Sequence, residues 1–573
     1  MDAMIMLVAA VVMLGPLALL VSPVVSDFVN ALATGKAPKP WSKEKRVGYG
    51  IMLVLSAVLF CYMALPELSP RAGFSLWPGF AVVGIAGSLL RAGFHGLAVT
   101  AWLGAAVVVT CLAMFSTSTT PAYSQAYRDL LGKPSSVALS EAFPLVDTAQ
   151  APLVSASMAR AAMEKRLAEL PALGSQFQVG QLAKQLYRGQ LVWVAFLEYN
   201  GLTKSFVLDA APGYVMVSAS DPSDVALVQE VNGQKLALRY LENGAFLHDV
   251  ARRAWLTAPT FGQTNLHPEL DEDGRPYFVV TLTQRKVGMS GADAVGVLTV
   301  DAQTGDTQRY GLDNVPAWVD QVQPAALIAK QISDWGEFVN GWWNPTNEGQ
   351  LRISGEVDLV YRNGQPFWVT GLTSTGSDSG VVGFIAVNAR TKEALQFDLA
   401  TYAESLAAQA MENVNPEKKY RATNPLPFLV EGVPTYVAAL ADAQGIVRAY
   451  GMANMLNHQS VATGTTLAAT LRAYQARNAT DRVGSALNQT GEAKRVEGIV
   501  TRIAQEGRNG VAHYFLQVST QDSTTASAIF TASSDLSPEL VLTKEGDQVR
   551  LTYVDAGGRL KGLTAFDNIN TGE

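Results

Sequence analysis

Cysteine is nearly missing from this chain. Cys61 and Cys111 are the only two in 573 residues, and both fall in apolar runs near the start. The residues after Phe115 therefore have no disulfide framework and no cysteine-based metal site. Histidine is scarce too: His95, His248, His267, His458 and His513 are scattered, and no pair has the spacing of metal ligands. Basic residues are in deficit after residue 115, with 36 against 46 acidic ones. That balance argues against nucleic acid as a partner. No glycine loop of the phosphate-binding kind is present. Gly376-Ser377-Asp378-Ser379-Gly380 has an aspartate where a hydrolase turn needs its nucleophilic serine. Glu269, Asp271, Glu272 and Asp273 form the densest acidic run, but they lack the spacing of a calcium loop and read as a solvated turn. Asn478 and Asn488 sit in glycosylation-type triplets that read as chance. No catalytic, cofactor or metal set emerges, so the reading is of a non-enzymatic protein with no cofactor.

What is abundant is apolar sequence at the front. Met4 to Val25 and Val47 to Leu65 carry no charge, Leu76 to Leu90 is a shorter run, and Leu97 to Phe115 is again apolar. A helix needs about 20 apolar residues to cross a bilayer, so these runs predict four transmembrane helices. Asp2 in place of a basic leader favours an uncleaved anchor over a signal peptide. Lys36, Lys39, Lys43, Lys45 and Arg46 crowd the first loop and place it in the cytoplasm. The expected location is the bacterial inner membrane, with the residues after Phe115 extracytoplasmic. No ionisable residue lies within the runs, which suits an anchor better than a pump.

The rest of the chain writes one strand four times. The copies are Arg188-Gly189-Gln190-Leu191-Val192-Trp193-Val194, Asp273-Gly274-Arg275-Pro276-Tyr277-Phe278-Val279, Asn363-Gly364-Gln365-Pro366-Phe367-Trp368-Val369 and Glu431-Gly432-Val433-Pro434-Thr435-Tyr436-Val437. Glycine turns the chain, proline can begin a strand, and an aromatic with valine favours a pleated, half-buried surface. Two copies share a second motif, Val300-Asp301-Ala302-Gln303-Thr304-Gly305-Asp306 and Val387-Asn388-Ala389-Arg390-Thr391-Lys392-Glu393, a strand running into a tight turn. Helical spacing precedes each copy, over Ser155–Leu170, Tyr240–Leu256, Pro324–Phe338 and Thr401–Glu412. The unit is a helix followed by an antiparallel meander. Trp193, Phe278, Trp368 and Tyr436 are expected at equivalent places.

Helix, strand and the hairpin Val300 to Asp306 together resemble the PepSY-type module of bacterial envelope proteins, over about residues 155–464. That resemblance implies modules that bind or inhibit rather than catalyse. After Arg495 five short strands read as a small OB-like barrel. The predicted class is thus a polytopic α-helical membrane anchor, α+β repeats, and a C-terminal OB-like β-barrel. The boundaries read as an anchor over 1–115, a linker over 116–154, and repeats over 155–235, 236–322, 323–400 and 401–464, the last trimmed. A connector over 465–491 and the barrel over 492–573 complete the chain.

Trp335, Trp342 and Trp343 lie close together and are the candidate protein-contact residues, although such clusters also fill cores. The expected function is an envelope protein, lodged in the lipid bilayer, whose repeats scaffold other envelope proteins in a homo- or hetero-oligomer. The alternatives are a regulator or inhibitor of an envelope peptidase and a subunit of a membrane channel or transport complex.

Overall fold

The computed structural model describes residues 42–44, 47–48, 51, 58, 61–69, 116, 118–137, 152–375, 380–430, 432–487, 493–508, 511–520, 528–534, 536–554 and 560–571. They fall into two compact units, one of residues 1–408 and 419–447, the other of 409–418 and 448–573.

The first unit is built from the repeated strand. After a helix α1 (Thr120–Arg128), module 1 has α2 (Ala156–Ala168) and strands β1 (Phe177–Tyr187), β2 (Gln190–Tyr199), β3 (Tyr214–Ser218) and β4 (Val225–Val228), paired in chain order. Ser155 caps α2 by accepting from the Met158 N–H. Met158, Ala159, Met163 and Leu167 recur at helical spacing and are buried against the sheet. Module 2 repeats the order with α3 (Val250–Thr257), β5 (Gly262–Leu270), β6 (Pro276–Val287), β7 (Ser290–Asp301) and β8 (Thr307–Gly311). Module 3 has α4 (Ala325–Glu337), then β9 (Leu351–Ile353) and β10 (Asp358–Arg362), which share one edge of β11 (Gln365–Ser374), then β12 (Gly380–Asn388) and β13 (Ala394–Tyr402). A fourth copy starts with α5 (Glu404–Glu412). Its β14 (Arg421–Ala422) and β15 (Leu426–Val430) likewise share one edge of β16 (Val433–Ala441).

The two sequence motifs meet across each sheet. Trp193 lies opposite Val217, Phe278 opposite Val300, and Trp368 opposite Val387. An aromatic facing a β-branched residue is a favoured cross-strand pair. Just beyond each valine a short polar side chain closes the turn. Asp301 Oδ1 accepts from the N–H groups of Gln303 and Thr304, and Asn388 Oδ1 from those of Arg390 and Thr391. Ser218 Oγ does the same for Ser220 and Asp221. Each is a side chain standing in for a backbone turn acceptor. The following alanine N–H then bonds a carbonyl in the first two residues of the strand that carries the repeated aromatic: Ala219 to Leu191, Ala302 to Pro276, Ala389 to Pro366.

Modules 1 and 2 share one core, in which Phe196 meets Phe278 edge-on at 5.0 Å between ring centroids. Module 3 packs Ile328 and Ile332 of α4 against Trp368, Ile385 and Val387.

In the second unit β17 (Val447–Asn454, its first residue in unit one) pairs with β18 (Asn457–Gly464), and the turn between them repeats the device, with Asn454 Oδ1 accepting from Leu456 N–H. The helix α6 (Leu467–Leu487) follows. Then β19 (Ala493–Arg508), β20 (Val511–Ser519), β21 (Ile529–Ser533), β22 (Gln548–Val554) and β23 (Leu560–Asn568) close a barrel in the order β19-β20-β21-β23-β22. The third and fifth strands are parallel and the other pairs antiparallel, an OB-type arrangement. Strand β19 is long enough to pair with both β20 and β22, helped by a bulge between Val500 and Arg502. Phe530, Leu516, Leu551 and Val549 fill the interior.

The expected membrane architecture is overturned. The described structure is mostly β-sheet, and among the described residues no helix is long and apolar enough to cross a membrane. The four-helix anchor, the multi-pass character and the inner-membrane location expected from it therefore do not stand. Met4–Val25, Leu76–Leu90 and Leu97–Phe115 lie outside the described residues, and Val47–Leu65 is described only in part. Where that run is described, it ends in a docked segment. Trp255 donates to the Pro66 carbonyl at 2.8 Å, Leu68 N–H to that of Pro259 at 2.8 Å, and Arg285 pairs with Glu67 at 3.3 Å. Apolarity of sequence alone does not separate a bilayer span from a segment that covers a protein face.

Two more expectations change locally. Residues 116–136, read as a linker, contain α1, whose Arg128 donates to the Val339 carbonyl. The helix expected over Tyr240–Leu256 begins only at Val250, where Asp249 caps it by accepting from Arg252 N–H.

Candidate functional site

Three places gather chemistry-bearing side chains in the first unit. The first is the tryptophan stretch. Trp335, on α4, is half-buried against the module 3 core. Trp342 and Trp343 lie past the end of that helix, 49% and 75% exposed, with ring centroids 5.7 Å apart. Gly341 turns the chain there with φ +78°. The loop that carries the two rings is tied down. The side-chain amides of Asn340 and Asn344 both donate to the Glu348 carbonyl, at 2.8 and 2.9 Å, and Glu348 N–H returns a bond to Asn344 Oδ1. Gln350 Nε2 anchors the far end on the Glu337 carbonyl. Thus the structure divides the predicted cluster: one ring braces the fold, and two stand in solvent.

The second place is a sealed polar seam among modules 1, 2 and 3. Glu269 is fully buried, accepts from Asp320 and Gln321 N–H groups, and lies 2.9 Å from His267 Nε2. Asp320 accepts from Leu186 N–H at 2.8 Å and from the Tyr361 hydroxyl at 2.6 Å. Gln185 spans to Leu270 with both ends of its amide. Burial, then the nearby Glu269 charge, push the Asp320 carboxyl above its ordinary range. Burial opposes charge on His267, but its contact with Glu269 prevails and its pKa is raised. Lys184 is buried over the Trp193 ring, and burial brings its ammonium down to about 8, against the pull of Asp358. The Arg390 guanidinium gathers the carbonyls of Val315, Pro316, Ala317 and Val319. Its buried carboxylates and amide are hydrogen-bonded to backbone and side chains of the three modules, so the seam is a fastening rather than a place for a substrate.

The acidic run of the sequence is split by this arrangement. Glu269 enters the seam, whereas Asp271 closes an exposed turn by accepting from the N–H groups of Asp273 and Arg275. Among the described residues no three His, Cys, Asp or Glu side chains gather as metal ligands. Residues 376–379, the hydrolase-like stretch around Asp378, lie outside the described residues.

No family model and no curated protein matches this chain. Its likenesses to solved structures are distant. A "putative glycosidase" from Bacteroides thetaiotaomicron VPI-5482 is 11% identical, over 50% of this chain and 72% of that one, with a TM-score of 0.16. A "putative glycoside hydrolase" from Parabacteroides distasonis ATCC 8503 is 12% identical, over 63% and 88%, with a TM-score of 0.16. A glycosyl hydrolase from Bacteroides ovatus is 12% identical, over 56% and 79%, with a TM-score of 0.14. These neighbours lend nothing to the expectation of a non-enzymatic protein. At such TM-scores they carry no argument for an activity either.

The third place was invisible in the sequence. A cleft of ≈ 590 Å³ opens between the end of β2, the loop before α3, and the docked residues Tyr62 and Met63. Glu242 lines it, with its Oε1 shut off from solvent and without a hydrogen-bond partner among the described residues. Burial first, then the charges of Glu198 and Asp249, raise the Glu242 carboxyl to about 7. The one available signal was Asn243-Gly244, a pair that breaks helices inside a stretch read as helical.

Proposed function

We propose that the chain is a binding protein whose repeats hold a fixed scaffold and whose Trp342–Trp343 loop docks on a partner protein. The observation that carries this reading is the exposure of two adjacent indoles on a loop already ordered by its own hydrogen bonds. Tryptophans are enriched among the few residues that dominate binding energy. A loop that is ordered before contact loses little entropy on docking. The resemblance to PepSY-type modules, which bind or inhibit, points the same way by analogy.

The test is co-purification with the full chain as bait, followed by the double change Trp342→Ala, Trp343→Ala. Truncating such anchors costs about 2 kcal/mol or more in binding, so partners held by wild type should be lost at an unchanged melting temperature. Retention of every partner by a folded double variant would reject the reading.

A further inference from the structure

The cleft at Glu242 has a composition that the binding function above does not use. Its one basic lining residue is already committed. Arg252 pairs with Asp249 at 3.0 Å, lies over the Tyr62 ring at 4.7 Å, and donates to the Phe246 carbonyl at 3.2 Å. Asp249 spends its other oxygen capping α3. Glu198, behind the cleft, has the Gln178 side chain as a hydrogen-bond partner and Arg160 nearby. Glu242 alone has neither a hydrogen bond nor an ion pair among the described residues, and His267 of the seam is the nearby group that favours its charged form.

The rim is apolar. Phe206 and Phe246 are 56% and 65% exposed and meet edge-on at 5.6 Å. Phe246 holds that place with φ +52°, a left-handed conformation that bulky residues rarely adopt. Two large rings are thus kept in water at the mouth of a cavity, above an unpaired carboxylate.

We infer that this cleft binds an amphipathic organic cation, a small amine on an aromatic or apolar arm, with its ammonium against Glu242 and its arm against Phe206 and Phe246. An anion would meet Glu242, Glu198 and Asp249. A neutral ligand could at most donate a hydrogen bond to Glu242 and would leave its charge without a counter-charge. An ammonium supplies the Glu242 carboxylate with a counter-charge, and aromatic faces add cation–π attraction.

The test is isothermal titration of the full chain with phenethylamine and with its neutral isostere 2-phenylethanol, at pH 6 and pH 8. The amine should saturate one site and bind at least tenfold more tightly than the alcohol at pH 8. Its affinity should fall several-fold at pH 6, where Glu242 must give up a proton to bind it. Glu242→Gln should remove both the preference and the pH effect, and Phe206→Ala should weaken both ligands. His267, whose pKa is raised by its contact with Glu269, is the other titratable group beside Glu242, so a pH effect that survives Glu242→Gln would assign it there and overturn the role of Glu242. Equal binding of amine and alcohol, or no saturation by the amine with folded protein, would overturn the site.

Discussion

Trp368 donates its indole N–H to the carbonyl of Gln323 at 2.7 Å, and Gln323 is the residue just before the N-cap of α4. The same bond recurs in module 1, where Trp193 donates to Val154, just before the N-cap Ser155, at 2.8 Å. In the fourth copy the Tyr436 hydroxyl donates to Tyr402, two residues before α5, at 3.1 Å. Module 2 has Phe278, which cannot donate. There the carbonyl before the N-cap, that of His248, is taken by Leu241 N–H instead. In three of the four copies the repeated aromatic is therefore a clip from its strand to the start of the module's own helix.

Trp368→Phe keeps a smaller aromatic ring in the core and removes the clip, so it should cost about 1–2 kcal/mol. Trp368→Ala also empties the core and should cost about 3–5 kcal/mol. Urea unfolding measures both. A Trp368→Phe variant as stable as wild type would deny the clip any energetic role.

The pH dependence of stability has a definite sign. Asp320, Glu242, Glu198, Asp249 and Glu404 all have raised carboxyl pKa values, each chiefly through burial, and His267 is raised as well. Between the ordinary carboxyl range and about pH 7 the folded chain therefore binds more protons than the unfolded one. Stability should fall from pH 5 to pH 7.5, by roughly 1–3 kcal/mol after allowance for the partly exposed groups. Lys184, lowered to about 8, works in the opposite direction, but only above that window. Asp320→Asn keeps an oxygen for Leu186 and Tyr361 and should flatten the slope. Denaturant midpoints at four pH values would show it, and a rise with pH would contradict it.

Trp335→Ala should lower the melting temperature by several degrees, because that ring braces α4. Trp342→Ala and Trp343→Ala should leave it within about a degree, as exposed side chains do. Calorimetry on the three single variants separates brace from contact surface. Equal losses in all three would make the loop part of the fold.

Asn388→Ala deletes the acceptor of the Arg390 and Thr391 N–H groups and should cost about 1–2 kcal/mol. Asn388→Asp keeps an oxygen in place, as Asp301 does in module 2, and should be near neutral. Chemical unfolding distinguishes them, and equal effects would remove the turn bond from the account.

The repeated second strand was legible because its aromatic must face inward opposite a valine, and alternation fixes that face. Two turns escaped notice for a chemical reason. Val217-Ser218-Ala219 and Ala453-Asn454-Met455 use serine and asparagine where Asp301 stands, and the geometry asks only for a short side chain with an oxygen. The five barrel strands were readable from local patterning, whereas their order around the barrel is set by pairings distant in sequence. His267 and Glu269 were legible as residues but not as a pair. Two positions apart on a strand they share a face, yet only the approach of Asp320 and Gln321 turns that face into a buried seam. The run ending at Leu65 misled, since apolarity gives no sign that the residues just after it dock on Trp255, Pro259 and Arg285.

The Glu269 seam also bears on how such an array can change over generations. Repeats begin as copies, and copies that touch only through generic apolar faces can be deleted, duplicated or reordered. Here Gln185 of the first module grips Leu270 of the second, and Tyr361 of the third holds an aspartate that also secures Leu186 of the first. Removing any one of the three leaves a buried polar group of a neighbour without one of its partners. A module cut out or exchanged alone would therefore break buried hydrogen bonds in its neighbours, and the three stand or fall as one energetic block.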